Sequence, residues 1–142
     1  MERKKIMTKE EYQNILQMPI GKPLDNPHFT GILYENPLVE GEDVKAALIT
    51  FEPGCINDYH IHHLAQQTII CVGGKGYYQE EGKEAIEMKP GDAIAIPVET
   101  KHWHGAAKDS WFSHIVIYSK AKEGFYAQWC EPVPKDIYEQ LK

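Results

Sequence analysis

Residues Gly54–Gly76, GCINDYHIHHLAQQTIICVGGKG, put two imidazoles and two amides into a short run of otherwise strand-like sequence. On an extended strand residues i and i+2 project from one face, so His60 and His62 offer two ligand-capable nitrogens side by side. The arrangement returns about forty residues later in KHWHG, where His102 and His104 flank Trp103. One such pair is compatible with histidines satisfied by ordinary hydrogen bonds. Two pairs in so short a chain point to a shared cavity and, most simply, to a metal ion held there.

Working outward, the 142 residues suit one domain, 1–142, able to bury about 70% of the surface its unfolded chain exposes. The net charge of −6 and the lack of any basic run beyond Arg3-Lys4-Lys5 argue against nucleic acid as a partner. Three scattered cysteines, Cys55, Cys71 and Cys130, cannot make a disulfide framework; they read as small hydrophobes in a reducing compartment. The N-terminus has no signal-like apolar core, and nowhere does an apolar run approach 18 residues, so a cytoplasmic protein without a membrane span is expected.

Thr8-Lys9-Glu10-Glu11 has the form of a capping box, and Tyr12, Ile15 and Leu16 follow at helical spacing, predicting a short helix to about Met18. FTGILYENP then reads as a short strand entering a turn at Asn36-Pro37, with His28 before it read as a surface residue. VKAALITFE, 44–52, predicts a buried strand; Ala47 and Ile49 share one of its faces and read as core. TIICV, GYYQ, AIEM, DAIAIP and SWFSHIVIYS follow as strand candidates separated by Gly and Pro turns. FYAQWCEPVP predicts a last extended segment, and residues 134–142 a short C-terminal helix. Many short strands with almost no helix between them imply an all-β antiparallel barrel or sandwich.

The two histidine stretches resemble the two motifs of the cupin superfamily. Gly54, His60, His62, Gln67 and Gly74 match the first at its spacing, and Gly91, Pro97 and His102 match the second. QTIICVGGKGYYQEEGK, MKPGDAIAIP and KHWHGAAKDSWFSH further resemble small bacterial cupins that include manganese-dependent hydroxynitrile lyases and relatives of carboxymuconolactone decarboxylases. The resemblance covers about 51–118 and implies a jelly-roll barrel with short N- and C-terminal helices. Its core would span about 44–119, with a helix and strands over 8–43 before it and a segment over 120–142 after it. Paired barrels are common among cupins, so a homodimer is expected. Glu99 departs from the pattern, standing where the second motif often has glycine. The link His63-Leu64-Ala65-Gln66 departs in length and content, leaving Gln66 and Gln67 as rivals for the amide ligand; Gln67 is preferred because it precedes TIICV directly and keeps six residues to Gly74.

The resemblance implies His60, His62, Gln67 and His102 as ligands of a divalent metal. Such a donor set admits manganese, iron, cobalt, nickel or zinc, and the resemblance favours manganese or iron. His104 shares the face of His102 and is the first candidate for a general base. His114, expected on a neighbouring strand, is the second, and the lyase-type cupins carry functional histidines at both positions. His63 faces away from His62 and reads as surface or rim. Trp103 and Trp111 should project to the outer face or its packing layer as core or dimer contacts. The implied function is a metal-dependent lyase or isomerase acting on a small hydroxy or carbonyl substrate. The alternatives are a cupin dioxygenase and a non-catalytic cupin that binds or senses a small molecule.

Overall fold

The computed structural model describes residues 5–119 and 126–141, and its strands form two facing antiparallel sheets. In chain order they are β1 (Lys22–Leu24), β2 (Phe29–Thr30), β3 (Leu33–Glu40), β4 (Val44–Phe51), β5 (Ile56–Asn57), β6 (His60–His63) and β7 (Gln66–Gly74). There follow β8 (Gly76–Glu80), β9 (Ile86–Met88), β10 (Ala93–Ile96), β11 (His102–Ala106), β12 (Phe112–Ser119), β13 (Tyr126–Trp129) and a helix, α1 (Lys135–Glu139). One sheet has the order β1-β3-β4-β12-β7-β10. The other runs β13-β6-β11-β5-β2, with β8 also on β11 and β9 on β8. This is the all-β architecture expected from the strand pattern and the jelly roll implied by the resemblance, and α1 lies within the predicted C-terminal helix. Phe125 at the start of the last extended segment and Lys142 at the end of that helix lie outside the described residues, as do 120–125 as a whole.

Alternation along the strands divides the apolar residues between two layers. Leu33, Phe51, Ile69, Cys71, Tyr78, Met88, Ile96, Phe112 and Val116 point inward and fill the space between the sheets. On β11 the inward positions are His102, His104 and Ala106, while Trp103 faces out and is covered by Tyr59, Tyr77, Val133 and the apolar side of α1. Both faces of β11 are therefore buried, and Trp103 still finds a partner for its N–H, donating to Gln79 Oε1 at 2.9 Å. Trp111 stacks on Tyr12 and Tyr34 and donates to the Met7 carbonyl. Tyr77 and Tyr78 split between the two layers as their alternation requires. Cys55 and Cys71 are buried free thiols, which burial pushes up to about 12 and about 11.

Four expectations need correction. The segment after Thr8 makes one turn and no helix. The reciprocal capping bonds form, with Thr8 N donating to Glu11 Oε1 and Glu11 N to Thr8 Oγ1. Asn14 then turns its side chain onto the backbone of Leu16 and Met18, Ile15 N donates to the Val72 carbonyl, and Tyr12 bonds Ser113, so tertiary partners outbid the second helical turn. Asn36-Pro37 does not turn the chain: β3 runs through it with one irregularity between Pro37 and Val39, and it pairs with β4 along its length. β3 is therefore part of the same sheet as β4. The first half of β4 is exposed or half-buried; only its C-terminal half enters the core. His114 and His104 do not lie on neighbouring strands, because β12 pairs with β4 and β7 while β11 belongs to the opposite sheet.

Candidate metal centre

The strand register builds the site. His102 on β11 is the direct cross-strand partner of His60 on β6, and their rings lie 4.2 Å apart. His62, two residues further on β6, comes to the same face, and one ligand-capable nitrogen from each of the three lies within 4.8 Å of the others. Two donors on opposite sides of one ion at about 2.1 Å would be about 4.2 Å apart, so the three nitrogens need draw together only slightly to share a single ion. Gln67 arrives from β7 in the facing sheet and is 3% exposed, whereas Gln66 points to solvent. Its amide donates to the Tyr118 hydroxyl at 3.4 Å, and its buried Oε1 has no hydrogen-bond partner among the described residues.

The backbone sets which ring nitrogen each histidine presents. His60 Nδ1 donates to the Asp58 carbonyl at 2.9 Å and His102 Nδ1 to the Thr100 carbonyl at 2.8 Å, each two residues earlier in the chain. Both rings are thereby held as the tautomer with a lone pair on Nε2, and the buried His102 Nε2 has no partner among the described residues. Burial, then the neighbouring His102, holds His60 well below its ordinary range and pushes His62 down to about 4; burial likewise lowers His102. All three are neutral near pH 7, as metal ligation requires. Three neutral imidazoles gathered in one place suit a divalent cation, and with the buried Gln67 side chain and its partnerless Oε1 lining the same cavity as His60 and His62 the cluster constitutes a candidate divalent metal site.

His104 and His114 meet across the barrel. Their rings lie 5.0 Å apart and nearly perpendicular, although they come from opposite sheets. Asn57 on β5 accepts from the His104 backbone N–H at 2.9 Å through Oδ1, which leaves its Nδ2 to donate to His104 Nε2 at 3.4 Å. His104 therefore carries its proton on Nδ1, an atom with no partner among the described residues, and the ring nitrogens of His114 have no side-chain partner among them, the Ile115 backbone being the one group that touches its titration. Burial, then His114 and the other site histidines, holds His104 well below its usual range; burial pushes His114 to about 3, offset in part by the backbone of Ile115.

These groups open onto a cavity of about 240 Å³ walled by Phe29, Leu33, Phe51, Val116 and Trp129, with Ala47 and Ile49 lining it rather than serving only as core. Among the described residues no Lys or Arg lines it. Several contributors carried no sequence signal: Asn57, whose partner is distant in the chain; Tyr118 on Gln67; and Trp129, whose ring packs on both His28 and His60. His28 is half-buried in that stack and approaches Asp58, so it is not at the metal site. His63 lies at the rim, bound to Glu99 and to Gln128 Oε1.

A cupin domain model matches residues 47–118. The chain is 36% identical over 115 residues to an (R)-mandelonitrile lyase of Granulicella tundricola, a match covering 79% of this chain and 86% of the lyase. Among solved structures, a cupin-like protein of Thermotoga maritima superposes with a TM-score of 0.79 at 35% identity, over 87% of this chain and 94% of that one. The DMSP lyase DddQ of Ruegeria pomeroyi superposes with a TM-score of 0.62 at 17% identity, over 72% and 54% of the two chains, a likeness of fold alone. This chain belongs to the cupin family.

Proposed function

We propose that the protein is a metal-dependent lyase or isomerase acting on a small hydroxy or carbonyl compound, with hydroxynitrile cleavage the first reaction to test. The observation that carries this reading is the His104–His114 pair, two buried neutral imidazoles in an apolar cavity beside a three-histidine cluster. The 36% identity to the mandelonitrile lyase supports it. In this reading His60, His62, His102 and Gln67 hold the ion, and the nitrogen and oxygen donors, with no thiolate among them, suit manganese or iron ahead of zinc, nickel or cobalt only in combination with the family resemblance. When bound, a divalent ion with four neutral ligands keeps its full charge and can acidify a hydroxyl or polarise a carbonyl.

The chain's own residues then move the proton. His114, whose ring nitrogens have no side-chain partner among the described residues, is the better placed base; His104, with Asn57 against Nε2, presents an Nδ1–H donor that can orient the substrate oxygen. This reverses the order in which sequence alone ranked them. Only one of the two can carry charge at a time, because like charges so close in a buried site repel. An imidazolium formed there is a strong acid, since burial opposes its charge, and it returns the proton readily to the departing carbon fragment. The apolar wall excludes water that would compete for that proton.

The test begins with metal analysis of protein purified without chelator, followed by aldehyde release from mandelonitrile. His114→Ala and His104→Ala should retain the metal and lose turnover by about 10²–10⁴-fold. Stoichiometric metal without turnover on hydroxynitriles, hydroxy acids or keto acids would favour a small-molecule-binding role.

A further inference from the structure

Two non-glycine residues with left-handed backbone face each other at the rim of the site, and they belong to different ligand-bearing segments. Leu64, with φ 68°, lies between β6 and β7, in the connection between His62 and Gln67. Glu99, with φ 61°, lies between β10 and β11, three residues before His102. Neither is a residue that adopts this conformation without help, so the surroundings must hold both in place. Glu99 supplies that hold from both its backbone and its side chain. Its N–H donates to the His62 carbonyl at 3.1 Å. One carboxylate oxygen accepts from the Leu64 N–H at 3.4 Å, and the other binds His63 Nδ1. His63 in turn reaches Gln128 on β13, the strand that flanks β6.

We propose that Glu99 is a positioning residue for the metal centre, clasping the end of β6 and the Leu64 turn to the loop that delivers His102. The proposal rests on the reading that His60, His62, His102 and Gln67 bind a divalent ion. Its physical basis is that these donors come from three separate strands, β6, β7 and β11, and His60–His102 is the one residue pair by which β6 and β11 are joined in register. Beyond that pair, the placement of His62 relative to His102 depends on what joins the end of β6 to the β10–β11 loop, whereas Gln67 is held to that loop by its own pairing with Ile96 in the β7–β10 ladder. Glu99 makes that join with three hydrogen bonds, at a position where glycine would satisfy the backbone but could not supply the carboxylate.

The test uses the full chain and Mn²⁺ as the probe, with affinity measured by chelator competition, the visible spectrum of the Co²⁺-loaded protein, and the melting temperature of the metal-free protein. Glu99→Gly suits the local φ and removes the carboxylate. It should leave metal-free melting close to that of the parent, weaken Mn²⁺ binding about tenfold or more, and alter the Co²⁺ bands. Glu99→Gln, whose amide oxygen can still accept from Leu64 N–H, should fall between the parent and Glu99→Gly. Parent-like affinity and an unchanged spectrum in both variants would overturn the positioning role while leaving the metal reading intact. A fall in metal-free melting that accounts for the lost affinity would overturn it too, leaving Glu99 as part of the scaffold only. A parent protein that binds no divalent cation would overturn the metal reading and the proposal with it.

Discussion

Acidification of the metal-free protein should unfold it over a narrow pH range, because five buried histidines are kept neutral in the folded state. Burial lowers His60, His62, His102, His104 and His114 below the ordinary value of 6.5, to about 4 for His62 and about 3 for His114. Below pH 6.5 the unfolded chain binds protons that the folded chain refuses. Stability is therefore complete above 6.5 and falls as the pH drops from there toward the folded-state values. His62 and His114, whose folded values lie well below 5.5, each remove about 1.4 kcal/mol by one pH unit below the unfolded value, and His60, His102 and His104 act in the same direction. A loss of a few kcal/mol is a sizeable share of the stability of a typical domain, about 5–15 kcal/mol. His63, raised by Gln128 and Glu99, works in the opposite direction, but it lies at the rim and is one group against five. The assay is urea unfolding of chelator-treated protein between pH 7.5 and about 5, followed by tryptophan fluorescence. His114→Phe, which fills the space without a titratable group, should make the slope shallower by about 1.4 kcal/mol per pH unit. Metal loading should raise stability above pH 6.5 by mass action and hold the folded state to lower pH. A metal-free stability that stays flat or rises between pH 6.5 and 5.5 would refute the reasoning.

Other outcomes follow from the same geometry. His102→Ala should strip the metal, since it removes the one donor that β11 brings opposite His60; stoichiometric metal in the variant would take His102 off the list of ligands. Gln67→Glu should tighten Mn²⁺ binding and slow turnover, because a carboxylate lowers the net charge of the loaded site from about +2 to about +1, while the exposed Gln66→Glu should change neither. The reverse pattern would move the amide ligand to Gln66. A homodimer is expected in solution, with the exposed apolar residues Leu24, Val39 and Val44 along β1, β3 and β4 as its contact; light scattering that returns 16.3 kDa would exclude it.

The sequence alone carried the fold class, since short β-branched runs between Gly and Pro turns have few architectures open to them, and it carried the candidate donors, since i and i+2 spacing on a strand is a local rule. His60 and His62 share one face of β6, and His102 and His104 one face of β11, for that reason. Local rules also led astray wherever a distant partner competed with them. The Thr8 capping box closes as its residues dictate, yet the chain leaves the helix because Asn14, Tyr12 and Ile15 find bonds across the fold. Asn36-Pro37 turns most chains, but here the ladder with β4 continues through it. What only the tertiary structure decided is how the strands face one another. It brought His114 to His104 from the opposite sheet, buried Gln67 while exposing Gln66, and set Asn57 against His104. Strand order and the stagger between facing sheets depend on long-range pairing, and no spacing within one strand encodes them.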